Sequence, residues 1–524
     1  MQNLRDIYHL SEERTRFAVF GLVGLLLVGL AGIVWFSPTL TLALMAALII
    51  IFVSFVRPTW TLYGLMLYLP FEPFILKWVP DNLYVYARYS SELIVYLLVA
   101  VIAWKLISGV QKWRRTPIDL IFGFFCFLLL ATTLLNLHDP VTSILGLRQI
   151  LRFVLLYFIT VQLQPSAKFI KIAIASLLAI VMLQVALGYG QAIIGGQLDS
   201  FLLPSEHREL GALQLTAGTV EFWDPGQRVF GTMGRYDQLG TFMAVVLLLL
   251  VAWLYEHRDA TIPRRYWLAL IIALPILALT YSRSAWFGFI LGFLFIAIWA
   301  KRDQRVTRGS AIVVGLLAVY LAVTGLAVNS LIDVPGQTFA NRFFETFSAE
   351  RWTGEYFGLG RVFWFTKTIT TVVPASPLFG FGPASYGGGA VAAVADTRVY
   401  DNLALPFGVY GTEGYIDNNW FSLWGETGTL GLVAYVAMYL TLFFLCIRFW
   451  RRATSVEDKA LALGVAAVML AVALNAFLAT FLEARTLAPY LWILAAFVTV
   501  RAETITSRHQ LSTRSTSDVN GNVV

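Results

Sequence analysis

Apolar residues along this chain fall in blocks rather than in alternation. A block of about 20 apolar residues is long enough to carry a helix across a hydrocarbon layer roughly 30 Å thick. Such blocks occupy Phe17–Phe36, Thr39–Val56, Trp60–Val79, Ser90–Ser108 and Ile118–Leu137. Others follow at Arg148–Gln164, Lys168–Gly190, Tyr236–Tyr255, Tyr266–Tyr281, Ser284–Ala300 and Ser310–Asn329. The last are Thr429–Phe449, Asp458–Phe481 and Pro489–Val500. Pro70, Glu72 and Pro73 interrupt the third block, and the final one is short. The pattern predicts an all-α polytopic membrane protein with about 12–14 transmembrane helices. Because another apolar block follows Phe17–Phe36 at once, it reads as a span and not as a cleaved leader.

The longest stretch that cannot lie in a bilayer is residues 329–428. It is rich in Trp, Tyr, Phe and Gly, which predicts an ordered, partly helical extracytoplasmic loop that bears the site. Residues 1–328 read as a transmembrane bundle with short cytoplasmic loops and an outside loop at 191–235. Residues 429–500 read as C-terminal transmembrane helices, and 501–524 as a Ser/Thr-rich, disordered cytoplasmic tail.

Charge sets the orientation. Of the 524 residues 13% are charged, against roughly 25% in soluble domains. Basic residues crowd into alternate connections: Arg57, Lys112/Arg114/Arg115, Lys168/Lys171, Arg258/Arg264/Arg265, Lys301/Arg302/Arg305/Arg308 and Arg448/Arg451/Arg452. Cytoplasmic loops concentrate such residues, so both termini are expected inside, and the net charge of +7 needs no nucleic-acid partner. Cys126 and Cys446 lie within apolar blocks, so no disulfide framework is expected.

Arginines on the outer side then require a reason. Arg228, Arg235, Arg283 and Arg361 lie there, as do Arg148 and Arg152, whose i, i+4 spacing puts them on one helix face. Any single one is explained as well by snorkelling to lipid phosphates. As a set beside an aromatic loop they point to an anionic ligand, since guanidinium binds phosphate bidentately. A diphosphate at the outer membrane surface fits. No His/Cys metal spacing, nucleophile elbow or Walker loop is present, so neither a cofactor nor a metal is expected, and an ATP-driven pump is disfavoured. Asp417 reads either as a general base or as a helix N-cap, and Glu426 either as a site residue or as part of a helix break.

Several segments, in order, resemble the O-antigen ligase and polymerase superfamily of bacterial membrane glycosyltransferases. Leu279-Thr280-Tyr281-Ser282-Arg283-Ser284-Ala285-Trp286 is similar to the family's Thr-x-Ser-Arg-small segment. Arg361-Val362-Phe363-Trp364 and Pro377-Leu378-Phe379-Gly380-Phe381-Gly382 are similar to its Arg-x-x-Trp and Pro-Leu-x-Gly-x-Gly segments. Asp417-Asn418-Asn419-Trp420-Phe421 through Glu426-Thr427-Gly428-Thr429-Leu430-Gly431 resembles its His/Asp-Asn-x-aromatic-Leu…Glu-x-Gly-x-x-Gly segment. The resemblance spans Arg228 to Val433.

The resemblance implies metal-independent transfer of a glycan from undecaprenyl diphosphate to an acceptor hydroxyl, on a glycan or lipid-linked glycan, outside the bacterial inner membrane. Arginines would hold the departing diphosphate. Where the ligases carry a histidine base this chain has Asp417, which favours a polymerase or exopolysaccharide-type member over a lipid A-core ligase. The expected catalytic residues are therefore Asp417, Arg283 and Arg361. Arg228, Arg235, Arg148, Arg152, Asn418, Trp364, Trp420 and Glu426 are expected to bind substrate, Trp364 and Trp420 by stacking on sugar faces. Trp352 and Tyr356 are further stacking candidates. The chief rival is a transporter or flippase of lipid-linked glycans, which should show paired broken helices.

Overall fold

A computed structural model describes residues 24, 27, 29, 31, 32, 38–136, 139–204, 208–210, 213–216, 228–258, 263–329, 338–348, 352–353, 359–408 and 414–520. The described helices are α1 (Pro38–Val56), α2 (Pro58–Tyr68), α3 (Glu72–Lys77), α4 (Asp81–Arg88), α5 (Ser90–Ile107), α6 (Asp119–Asn136), α7 (Pro140–Leu151), α8 (Val154–Leu163), α9 (Ala167–Ile194) and α10 (Gly196–Leu202). A short antiparallel hairpin follows, β1 (Arg208–Leu210) and β2 (Leu213–Thr216). Then come α11 (Tyr236–Glu256), α12 (Arg264–Leu279), α13 (Arg283–Leu294), α14 (Gln304–Asn329), α15 (Phe339–Phe344), α16 (Arg361–Lys367), α17 (Gly389–Val394) and α18 (Arg398–Asn402). The chain closes with α19 (Asn419–Arg452), α20 (Val456–Leu478) and α21 (Ala488–Asn520).

The chain is an all-α polytopic membrane protein. Among the described residues ten helices are long and apolar enough to span, or eleven if the pair α7 and α8, bent by 54°, forms one span. That is fewer than the apolar blocks suggest, for identifiable reasons. Most of Phe17–Phe36 lies outside the described residues. The third block breaks at its prolines into α2, a 3₁₀ turn at Leu69–Phe71 and α3, because proline removes a donor and crowds the preceding turn. The Tyr266–Tyr281 block gives a helix of only 16 residues, with Pro275 inside it. At the C-terminal end α21 runs on to Asn520, and after Pro489 no proline or glycine stands before Gly521 to stop it.

The chain forms two compact units, residues 1–68 with 78–113, and residues 69–77 with 114–524. In the first, Ser54 bonds Thr61 at 3.1 Å and Phe55 packs edge-on against Trp104. In the second, α11, α20 and α21 form the interior. Of the spanning window 83% is buried in α11 and 72% in both α20 and α21, against 0% in α14, which therefore lies at the periphery. The interior helices approach closely because seven of the 23 residues of α20 are alanine, with Gly464 against Leu249 and Ala252 of α11.

Ion pairs fasten the end of this unit away from the long loop. Glu256 takes Lys301 at 2.7 Å and the Trp450 indole at 2.6 Å, and Arg501 grips Asp458 through two bonds of 2.7 and 2.9 Å.

Candidate active site

At the other end, two of the sequence segments singled out above meet backbone to backbone. Phe381 N and Gly382 N donate to Gly425 O and Glu426 O, each at 2.9 Å. Thr429 N returns a bond to Pro377 O at 2.9 Å, and Leu430 N to Leu378 O at 3.3 Å. This contact explains the glycines. Gly428 breaks α19 at φ 67°, ψ −176°, a region essentially reserved for glycine, and a Cβ there would stand 2.3 Å from Leu378 O. Gly380, at φ 69°, would place its Cβ 2.5 Å from Gly428 N. From α6, Thr132 Oγ1 donates to Phe379 O and Asn136 Nδ2 to Gly380 O.

Glu426 belongs to the same joint. Its buried carboxylate lies beside the backbone of Ala384, Ser385 and Tyr386. Behind the turn the loop has its own core of Trp364, Val372, Tyr386, Val391, Val399, Tyr400, Leu405 and Ile416. The Tyr400 hydroxyl ties it together, accepting from Gly387 N at 2.8 Å and donating to Gly414 O at 2.7 Å. Trp364 is 1% exposed, so its ring is a core side chain with no face open to a sugar. Trp420 is half-buried; its indole donates to Ala473 O at 3.0 Å and its ring meets Tyr439 edge-on. Trp352 donates to Thr346 O at 2.8 Å, and Tyr356 lies outside the described residues.

Immediately before α19, Asp417 adopts φ 51°, a left-handed conformation that aspartate tolerates better than most residues. Asn418 is the N-cap, its side chain accepting Phe421 N at 3.0 Å. With the cap supplied by Asn418, the Asp417 carboxylate stays half-exposed and makes no hydrogen bond among the described residues. The next residue, Asn419, is held at both ends of its amide: Nδ2 donates to Glu483 Oε1 at 3.2 Å, and Oδ1 accepts Leu482 N at 2.8 Å.

Glu483, between α20 and α21, is a hub that the sequence reading passed over. Its Oε2 accepts Gln149 Nε2 of α7 at 2.7 Å and Gly389 N at the start of α17 at 2.8 Å. Its carbonyl accepts Arg152 Nη2 at 2.9 Å. Burial pushes its carboxyl above the usual range, against the opposing pull of these donors and of Arg152.

The expected arginines fall into groups. Arg152 is 5% exposed, lies 4.4 Å over the Phe153 ring and reaches Glu483; Arg148 is half-buried in the last turn of α7. Arg361 opens α16 and donates to Leu478 O at 3.3 Å, at the end of α20. Arg235 pairs with Asp237 at 3.1 Å; Asp237, and more weakly Asp417, hold its guanidinium charged. Arg228 lies 4.4 Å over the Tyr236 ring.

A buried network in α9 anchors this arginine-bearing segment. Gln191 Oε1 accepts Gly231 N at 2.8 Å, and Gln184 exchanges two bonds with Thr232. Arg283, at the start of α13, is engaged elsewhere: it pairs with Glu345 at 2.8 Å, and Glu345 also takes Arg342 at 3.1 Å. Two guanidiniums thus share one fully buried carboxylate.

Residues 268–436 match the family model described as O-Antigen ligase. That segment is similar to an O-antigen ligase domain. The matched segment holds the Arg283 turn, Arg361, the Pro377–Gly382 turn, Asp417 and Glu426, and so contains the whole interlock. Arg148, Arg152, Arg235 and Glu483 lie outside it. No curated protein matches the chain. The match over residues 268–436 supports an O-antigen ligase or polymerase-type part in assembly of a surface polysaccharide.

Proposed function

We propose that this O-antigen ligase-type protein transfers a glycan from undecaprenyl diphosphate to an acceptor hydroxyl at the extracytoplasmic face of a bacterial inner membrane. The observation that carries this reading is the grouping of cations around the start of α19. Arg152 and Asn419 share Glu483, Arg235 stands within electrostatic reach of Asp417, and Arg361 is fixed to the end of the neighbouring α20. A carboxylate without a hydrogen-bonding partner beside fixed guanidiniums is the arrangement a transfer to a hydroxyl requires.

In the proposed reaction the acceptor oxygen attacks the anomeric carbon as the bond to the diphosphate oxygen breaks, with inversion. The acceptor proton passes to Asp417. The bonding pair leaves with undecaprenyl diphosphate, whose charge Arg361, Arg152 and Arg235 offset, with Arg148 and Arg228 nearby along the same elements. Arg283 contributes through the triad with Glu345 and Arg342, which carries a net positive charge. Asp417 at the position of the ligase histidine favours a polymerase, in which the acceptor is a second lipid-linked glycan. The basic connections at the far end support cytoplasmic termini.

The test uses purified protein in liposomes with an undecaprenyl-diphosphate-linked oligosaccharide and no nucleotide or metal. Diphosphate release with a ladder of longer lipid-linked products supports the polymerase. Release only on addition of a separate acceptor supports a ligase. Movement of the lipid across the bilayer without any release overturns transfer in favour of transport.

A further inference from the structure

Glu483 is the one described carboxylate that touches three separate parts of the site. Through Gln149 it holds α7; through Gly389 N it holds the loop at the start of α17; through Asn419 it holds the helix start that carries Asp417. The groups that hydrogen-bond the carboxylate, Gln149 Nε2, Gly389 N and Asn419 Nδ2, are all donors, while the buried Glu426 carboxylate lies within electrostatic reach. An acceptor with two oxygens is therefore required there, and a glutamine would turn its own donor toward one of them. Asn419 cannot compensate by turning over, because its oxygen already accepts Leu482 N.

We propose that Glu483 is a positioning residue that fixes the Asp417-bearing start of α19 against α7 and the loop, and so sets the spacing between the acceptor's base and the cations that receive the diphosphate. The inference rests on the transfer reading given above. It extends that reading to a residue outside the segment matched by the family model. Reacting groups held in register gain most of their advantage in the chemical step, so displacement of one of them appears in kcat before KM.

The experiment compares wild type with Glu483→Gln in the liposome assay, together with hydrogen exchange and thermal unfolding of both proteins. Glu483→Gln should lower kcat by about 10- to 100-fold, the range expected for a displacement of about 1 Å. KM for the lipid-linked donor should stay within about twofold, since the arginines that bind it are retained. Amides around Gly389 and Asn419–Ser422 should exchange faster while the unfolding temperature is kept.

Full kcat in the variant overturns the proposal, as does unchanged exchange in both peptides. Loss of kcat together with a lowered unfolding temperature also overturns it, by making Glu483 a general stability residue. A wild type that releases no diphosphate overturns the transfer reading instead, a failure read from the wild type alone.

Discussion

Gly428→Ala puts the joint between the loop and α19 to its hardest test. The native backbone, at φ 67° and ψ −176°, is strained for any residue with a Cβ, by about 1–3 kcal/mol. The added methyl would also stand 2.3 Å from Leu378 O, 2.4 Å from Leu378 C and 2.5 Å from Phe379 N, all of them backbone atoms that no rotamer change can move. Relief requires the turn to separate from α19, which breaks the Thr429–Pro377 and Leu430–Leu378 bonds at about 1 kcal/mol each. The sum is about 3–5 kcal/mol of local opening energy. At tenfold per 1.4 kcal/mol, amide protection should fall by about a hundredfold to a few thousandfold. Hydrogen exchange in nanodiscs, followed over residues 377–386 and 425–431, reads this directly. Wild-type protection in the variant would show that the two segments do not interlock, and the account of both glycine motifs would fall with it.

Asp417→Asn keeps a residue that tolerates the left-handed backbone and leaves the Asn418 cap intact, so unfolding should be unchanged while kcat falls by about 10²–10⁴; undiminished turnover removes Asp417 as the base. Glu345→Gln removes the buried carboxylate charge that Arg283 and Arg342 share and should destabilise the protein by about 3–5 kcal/mol. Denaturant titration checks it, and a neutral result would mean that the triad of Arg283, Glu345 and Arg342 is not held as described. Burial raises the Glu483 carboxyl above its ordinary value of 4.5, so the folded protein keeps this proton after the unfolded chain has lost it. The stability contributed is complete below the ordinary value and is lost as pH rises through the raised one. Melting curves across that window should slope downward with pH in wild type and be flatter in Glu483→Gln; equal slopes would assign the effect to another group.

The spans and the two glycine motifs were legible in the sequence because both are local patterns: runs of apolar residues, and turns that only glycine can make. Asp417 was visible as a candidate, but its role as base or cap was not, since the cap is decided by which of two neighbouring side chains reaches Phe421 N. Asn418 does. Trp364 looked like a sugar platform because aromatic composition alone cannot distinguish a loop's core from its surface.

Glu483 was hidden for a different reason. It is a single acidic residue in a short connection, and its partners Gln149, Gly389 and Asn419 are brought to it only by the packing of the bundle. Gln184 and Gln191 left a fainter trace, as polar residues on one face of an apolar block, where an intramembrane polar group is by default a sign of function.

The interlock at Gly380 and Gly428 also says how this architecture can change. The excursion that leaves at Gly382 and returns at Gly425 has both ends clamped within hydrogen-bonding distance on one helix. The part of it between Gly389 and Asp417 is less tightly bound to the membrane bundle, because closing a longer excursion between fixed ends adds only about 0.6 kcal/mol per doubling. Residues there can be exchanged or inserted to suit a different acceptor while the spans, the Gly389 and Asn419 contacts with Glu483 and the Asp417 helix keep their register.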